Sequence, residues 1–100
     1  MGLAILGDVL KDWRAYELDD SIYLPADAEP TLEGEVDVLP FDPMRRRIFE
    51  GKRYLLGIEQ VRDVVQGLEA QLRRPATLSE RLKAVAHFAK ADAFIDPSNL

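Results

Sequence analysis

The fold of this chain is decided by residues 58–80, which read IEQVRDVVQGLEAQLRRPATLSE. Apolar residues recur there at three- and four-residue spacings that line one face of a helix. They are Ile58, Val61, Val64, Val65, Leu68 and Leu72. Two arginines and a proline end this helix at positions 73–75, and Thr77-Leu78-Ser79-Glu80 has the form of a capping box. A three-residue break before a second apolar stripe, which continues to about Phe94, predicts an antiparallel helical hairpin.

The first half of the chain predicts one helix and a few short strands. Five apolar residues between positions 3 and 13 line one helical face, which predicts a helix over residues 3–15. Residues 21–24 are rich in strand formers, residues 35–38 alternate polar and apolar, and residues 53–56 are a candidate third strand. We therefore predict an α+β fold in one domain, residues 1–100, with an N-terminal helix, a small antiparallel sheet of two or three strands and the C-terminal antiparallel helical hairpin.

The composition excludes several classes of protein. With 47% hydrophobic and 31% charged residues, the 100-residue chain has the composition of a globular domain rather than of a disordered one. The absence of cysteine excludes disulfides, thiolate metal sites and cysteine nucleophiles. No apolar run is long enough to span a bilayer. We expect a soluble, cytoplasmic protein without a membrane partner.

Charge divides sharply along the chain. Up to Pro43 there are eleven carboxylates and two basic residues, whereas eleven basic residues and seven carboxylates follow. A surface of one sign steers oppositely charged partners, so the acidic half predicts a protein-binding surface. Its candidate residues are Asp19, Asp20, Tyr23, Asp27, Glu29, Glu33, Glu35, Asp37, Phe41 and Asp42. The carboxylates would steer the partner, and an aromatic side chain, Tyr23 or Phe41, would supply affinity. A solvated acidic surface that only keeps the protein soluble remains the alternative.

A basic stretch follows the acidic half. Its cations are Arg45, Arg46, Arg47, Lys52 and Arg53, with Phe49 and Tyr54 among them. Basic and aromatic residues together are typical of single-stranded nucleic-acid binders. The net charge of −5 opposes phosphate binding, and pairing of this stretch with the acidic half is the favoured interpretation. A regulatory or nucleic-acid-associated module stays open as an alternative, as does a structural protein that dimerises through its helical hairpin; the chain would be a monomer or a homodimer.

No catalytic or metal-binding constellation is visible in the sequence. His87 is the only histidine, and its spacing from Lys83 and Lys90 predicts that all three share the wet face of the last helix. A lone helical histidine has neither a nucleophile nor an orienting acid. Asp19, Asp20 and Asp37 lack the pattern of a calcium loop. We therefore predict no enzymatic activity, no cofactor and no metal.

In size, lack of cysteine, α+β pattern and the carboxylate block from Asp19 to Asp42, the chain resembles the small acidic immunity proteins of bacterial toxin systems, including contact-dependent inhibition. The resemblance is to a class with diverse folds, and it assigns no residue a role. It implies a binding function without chemistry. The acidic face would dock on a basic toxin domain, often a nuclease, and neutralise it.

Overall fold

A computed structural model describes residues 3–45 and 48–100 of the chain. In these residues five antiparallel strands form one sheet in the order β1-β3-β2-β5-β4. The strands are β1 (Leu3–Ile5), β2 (Ser21–Pro25), β3 (Glu35–Leu39), β4 (Ile48–Phe49) and β5 (Lys52–Gly57). The helices are α1 (Leu6–Lys11), α2 (Ile58–Leu72) and α3 (Leu78–Ala91), and short 3-10 helices lie at Trp13–Ala15 and Pro97–Asn99. The predicted α+β class is confirmed.

One hydrophobic core joins the sheet to the three helices. Its largest fully buried side chains come from α1, α2, α3 and the three central strands. They are Leu6, Val9, Leu10, Ile22, Val36, Leu56, Ile58, Val61, Val64, Val65 and Val85. Every apolar position of the α2 stripe except the half-buried Leu72 is buried, because this helix follows β5 directly and lies against the sheet.

The predicted strands β2 and β3 pair side by side at the centre of the sheet. In their register Ile22 lies opposite Val38, and Tyr23 lies opposite Asp37. Because successive side chains of a strand point to opposite faces, Ile22 and Val38 join the helix-side core while Tyr23 and Asp37 lie on the other face. The alternation of residues 35–38 is therefore the pattern of a strand covered by helices on one side only.

The prediction of two or three strands was wrong in number, because the sheet also contains β1 and β4. The segment Leu3–Ile5, predicted as helix, pairs with Glu35–Asp37 of β3 at one edge of the sheet. At the other edge, β4 pairs with β5 through a tight turn at Glu50 and Gly51, both of which have positive φ. A pair of residues with positive φ suits the twist of a two-residue hairpin.

The first helix is shorter than the predicted range of residues 3–15. It covers Leu6–Lys11, and a 3-10 turn at Trp13–Ala15 follows it. Leu3 is 66% exposed on the edge strand, so it is not part of the buried helical stripe. Trp13 is buried in the core as its position on the stripe indicates, and the Arg14 guanidinium lies 4.3 Å from the centre of its ring.

The helical hairpin is present, with a longer connection than predicted. Five residues, 73–77, join α2 to α3, and α3 ends at Ala91 with Asp92 in the left-handed conformation. The capping box is confirmed: the Glu80 amide donates to Thr77 Oγ1 (3.1 Å), and the Thr77 amide donates to Glu80 Oε1 (2.9 Å). Arg81 then joins all three helices, because it donates to the Leu10 carbonyl (2.7 Å) and pairs with Glu69 (3.3 Å).

The connection between β2 and β3 is held at both ends. The amides of Leu6 and Gly7 donate to the carbonyls of Gly34 (2.9 Å) and Leu32 (2.8 Å), which ties its second half to the start of α1. A Cβ at Gly7 would come within 2.8 Å of that Leu32 oxygen, so this close approach requires glycine. At the other end the Ala26 amide donates to the Gly51 carbonyl (2.8 Å).

Candidate functional site

The carboxylates of the acidic half are distributed to both ends of the β2–β3 pair. Asp19 and Asp20 precede β2, and Asp42 follows β3, so the antiparallel pairing brings these three to one end. Asp27, Glu29 and Glu33 lie in the connection that leaves the opposite end, where Glu35 begins β3. The predicted acidic surface is therefore divided into two groups, with Asp37 between them in the middle of β3.

Asp37 belongs to a polar cluster on the sheet face away from the core. It forms an ion pair with Lys52 and lies in register with Tyr23, whose ring packs edge-on against Tyr54 at 5.7 Å. The Tyr54 hydroxyl donates to Gln60 Oε1 (3.0 Å), which links this face to the first turn of α2. We call Tyr23, Asp37, Lys52 and Tyr54 the outer-face cluster.

Tyr23 and Phe41, the two candidate anchors, differ completely in exposure. Tyr23 is 6% exposed and lies under the Arg45 guanidinium, 5.6 Å from its ring centre. Phe41 is 64% exposed in the loop that follows β3. Tyr23 is thus enclosed by the fold and closed to a partner, whereas Phe41 is accessible.

The loop of residues 40–45 is fixed by its own hydrogen bonds. Asp42 Oδ1 accepts from the Met44 amide (2.9 Å), and the Arg45 amide donates to the Asp42 carbonyl (3.1 Å). The Arg45 guanidinium also donates back to the Pro40 carbonyl (2.9 Å) while it covers Tyr23. This arrangement leaves Phe41 and Met44, which is 87% exposed, on the outside of an anchored turn.

Residues 18–20 lie at the same end of the sheet, because Ser21 pairs with Leu39. The carbonyls of Leu18 and Asp20 accept from the amides of Glu59 (3.0 Å) and Ile58 (2.9 Å), so this segment is docked on the start of α2. Leu18 is 42% exposed and Asp19 is exposed beside it. We call residues 18–20 and 40–45 together the loop-end surface: three exposed apolar side chains among three carboxylates.

The described cations of the basic stretch are engaged within the protein. Arg45 is bound as above, Lys52 pairs with Asp37, and the Arg53 guanidinium donates to the Ala28 carbonyl (2.6 Å). Arg46 and Arg47 lie outside the described residues. These contacts agree with the interpretation that the stretch pairs with the acidic half.

His87 lies in a cleft that the sequence did not indicate. The cleft is bounded by residues 26–30, by residues 53–55 of β5 and by residues 86–90 of α3, and its volume is about 640 Å³. His87 and Lys90 lie on the helix side, and Asp27 and Glu29 lie on the loop side, whereas Lys83 is not part of the lining. Lys83 and Lys90 are exposed as predicted, whereas His87 is half-buried.

The resolved pKa shifts lie in the hairpin and the C-terminal turn. A bidentate hydrogen bond from Arg74 (2.7 and 2.8 Å) and the Thr77 amide lower the pKa of Glu80 to about 2. The same carboxylate raises the pKa of Arg74. Hydrogen bonds from the amide and hydroxyl of Ser98 lower the pKa of Asp96. These pKa shifts arise from hydrogen-bonded pairs that stabilise the local structure, and they do not indicate a reacting group.

No group of three or more histidine and carboxylate side chains in the described part of the chain is arranged to hold a metal ion. None of the described helices is both long and apolar enough to cross a membrane.

The fold and the loop-end surface define a small α+β protein with exposed apolar side chains among carboxylates. A family model described as "Domain of unknown function (DUF7716)" matches residues 3–97, so the chain belongs to this family. No curated protein and no solved structure matches it. The description of the family assigns no activity to its members.

Proposed function

We propose that this protein is a protein-binding module that docks a basic partner on the loop-end surface. The observation that supports this is the exposure of Phe41 and Met44 on a turn anchored by Arg45 and bordered by carboxylates. Large apolar side chains in a pre-ordered loop bury area on binding at a low entropic cost. Asp19, Asp20 and Asp42 around them would favour a basic partner and accelerate its association.

The specific form of this proposal is an immunity protein that neutralises a cognate basic toxin domain. The acidic loop-end surface supplies charge complementarity, and Phe41 supplies an anchor for a pocket on the toxin. Binding alone suffices for such a function, since covering the active site or the substrate site of the toxin stops it. Asp27, Glu29, Glu33 and Glu35 lie at the other end of the sheet and would contribute only long-range attraction.

The contacts of the described residues favour neither nucleic-acid binding nor dimerisation through the helical hairpin. Nucleic-acid binding through Lys52 and Arg53 would have to release Lys52 from Asp37 and Arg53 from the Ala28 carbonyl. Dimerisation through the hairpin would have to bury its outward positions, which are largely polar, such as Glu59, Asp63 and Lys83. A second copy docked on the loop-end surface would bring like charges together.

Affinity capture with matched variants tests the proposal. The immobilised wild-type chain, Phe41→Ala and Phe94→Ala are exposed to a lysate of the native host and to the product of the neighbouring gene. Phe94 is an exposed aromatic residue outside the loop-end surface, so its variant controls for general stickiness. We expect a basic protein that is captured by wild type and Phe94→Ala, is lost with Phe41→Ala and is eluted by salt.

The same variants decide the immunity function. Expression of the captured protein alone should arrest growth. Co-expression of the wild-type chain should restore growth, whereas co-expression of Phe41→Ala should not. Capture that is equal for all three chains, or no captured protein at all, would contradict a partner at the loop-end surface. Self-association measured by sedimentation at two concentrations, and abolished by Phe41→Ala, would replace the basic partner with a second copy.

A further inference from the structure

The cleft that contains His87 lies at the opposite end of the β2–β3 pair from the loop-end surface. Its loop side is held in place, because the Ala26 amide donates to Gly51 and Arg53 donates to the Ala28 carbonyl at 2.6 Å. Four alanines, Ala26, Ala28, Ala86 and Ala89, line it, and short side chains leave the space open. Its volume of about 640 Å³ falls in the range of small-molecule sites, about 300–1,000 Å³.

Charges of opposite sign line opposite sides of this cleft. Asp27 and Glu29 come from the loop, Arg53 from the strand, and His87 and Lys90 from α3. Within residues 3–45 and 48–100, no ion pair joins the two carboxylates to Arg53 or Lys90. Opposite charges that line one cleft without pairing leave room for a molecule between them.

Arg53 is the best-positioned of these cations. It is half-buried in β5, and one amino group of its guanidinium is fixed by the Ala28 carbonyl. A guanidinium carries five donor hydrogens in a planar fork, so the remaining donors can bind a carboxylate in a bidentate manner. In the described part of the chain, no carboxylate forms an ion pair with Arg53.

We propose that this cleft binds a small zwitterion, namely an amino acid or short peptide with a free ammonium and a free carboxylate. The ligand carboxylate is bound by Arg53 and Lys90, and its ammonium is bound by Asp27 and Glu29. A simple anion would be repelled by the two carboxylates, and a simple cation by Arg53 and Lys90. A zwitterion matches both sides. The proposal does not depend on the protein-binding function.

Titration of the isotope-labelled full chain, followed by its backbone amide signals, tests this site. The probes are trialanine, its N-acetyl form, its C-terminal amide and glycine. We expect trialanine to shift the amides of residues 26–30, 53–55 and 86–90 in a saturable manner. Each blocked form should bind about tenfold more weakly, because it loses one charge-assisted contact. Saturable binding of glycine would assign the site to amino acids, and its absence would assign it to peptides.

Substitutions of residues that line the cleft test which side chains contact the ligand. Lys90→Gln and Glu29→Gln change exposed side chains and should each weaken trialanine binding about tenfold. Lys83→Gln, on α3 but outside the cleft, is the matched control and should leave binding unchanged. Equal binding of the blocked and free forms, shifts outside the cleft, or no saturable shift with trialanine or glycine would overturn the proposal. Phe41→Ala should leave this titration unchanged, so failure here is distinct from failure of the protein-binding function.

Discussion

The outer-face cluster and the loop-end surface contain the same kinds of side chain but differ in how far those side chains are exposed. In the cluster, Tyr23 is 6% exposed, and Asp37 is paired with Lys52. In the neighbouring loop, Phe41 is 64% exposed, and the Asp42 side chain, which is 47% exposed, lies 4.0 Å from the Arg45 guanidinium. Both regions combine an aromatic ring with an acid, but only the first is enclosed by the fold.

This difference shows which residues stabilise the protein and which remain available for binding. Arg45 connects the two regions, because it covers Tyr23 and also holds the turn that carries Phe41. An aromatic residue that is already packed contributes to the free energy of unfolding and cannot contribute to binding. An exposed aromatic residue on a fixed turn has the reverse property.

The largest expected effect is on stability at Tyr23. Tyr23→Ala should lower the free energy of unfolding by about 3–5 kcal/mol, because it removes a buried ring and its contact with Tyr54. Phe41→Ala should change it by less than about 0.5 kcal/mol. Urea denaturation followed by circular dichroism measures both values. Equal losses in the two variants would show that the loop aromatic is part of the fold.

A smaller effect is expected from the two acids. Asp37→Asn should cost about 1 kcal/mol of unfolding free energy, because it removes the charge of a largely buried carboxylate that is paired with the partly exposed Lys52. Asp42→Asn retains the oxygen that accepts from the Met44 amide and should change stability by less than about 0.5 kcal/mol. Denaturant titrations of the pair test this, and a larger cost at Asp42 would reverse the comparison.

Charge at the two ends of the sheet should affect association differently. Replacing Asp19, Asp20 and Asp42 with asparagine should slow association with the captured partner about tenfold and flatten its salt dependence. The matched control removes three carboxylates at the other end, by Asp27→Asn, Glu29→Gln and Glu33→Gln. Stopped-flow or surface-plasmon rates measured at several salt concentrations distinguish them. Similar slowing in both variants would mean that the association rate depends on the net charge of the protein and not on the position of the carboxylates.

The smallest expected effect concerns Glu80, an engaged carboxylate in the first turn of α3 that belongs to neither region. Its pKa is lowered from 4.5 to about 2 by Arg74 and Thr77, so its contribution to stability is complete above about pH 5 and is lost as the pH falls towards 2. Glu80→Gln keeps a capping side chain but removes this acid dependence. Between pH 6 and pH 2, the thermal unfolding midpoint of Glu80→Gln should fall less steeply than that of the wild-type chain. Glu33→Gln is the control, and a profile unchanged in Glu80→Gln would contradict the assignment.

Periodic and local signals predicted much of the fold, and long-range pairing was the part that they missed. The α2 stripe, the Thr77 capping box and the alternation in β3 are properties of neighbouring residues, and all three are present. The strand β1 depends on pairing with β3, about thirty positions away, so its apolar residues were assigned to a helix. In β4 the available signal was Gly51, because glycine readily adopts the positive φ that a tight hairpin turn requires.

The same limit of local sequence signals applies to the candidate binding residues. The sequence offered both Phe41 and Tyr23 as candidate anchors and could not distinguish them, because burial on the outer face depends on a loop that folds back over the sheet. It also missed the cleft at His87. That cleft is formed by three segments between residues 26 and 90 and has no local pattern.

The most direct test of the loop-end surface is the affinity of its partner for two aromatic variants. Isothermal titration of the captured protein should show that Phe41→Ala weakens binding by at least about thirtyfold, the loss expected of an anchor worth about 2 kcal/mol. Phe94→Ala should bind as wild type does. Equal affinity of the wild-type and Phe41→Ala chains for a partner that both bind would contradict a binding anchor at Phe41.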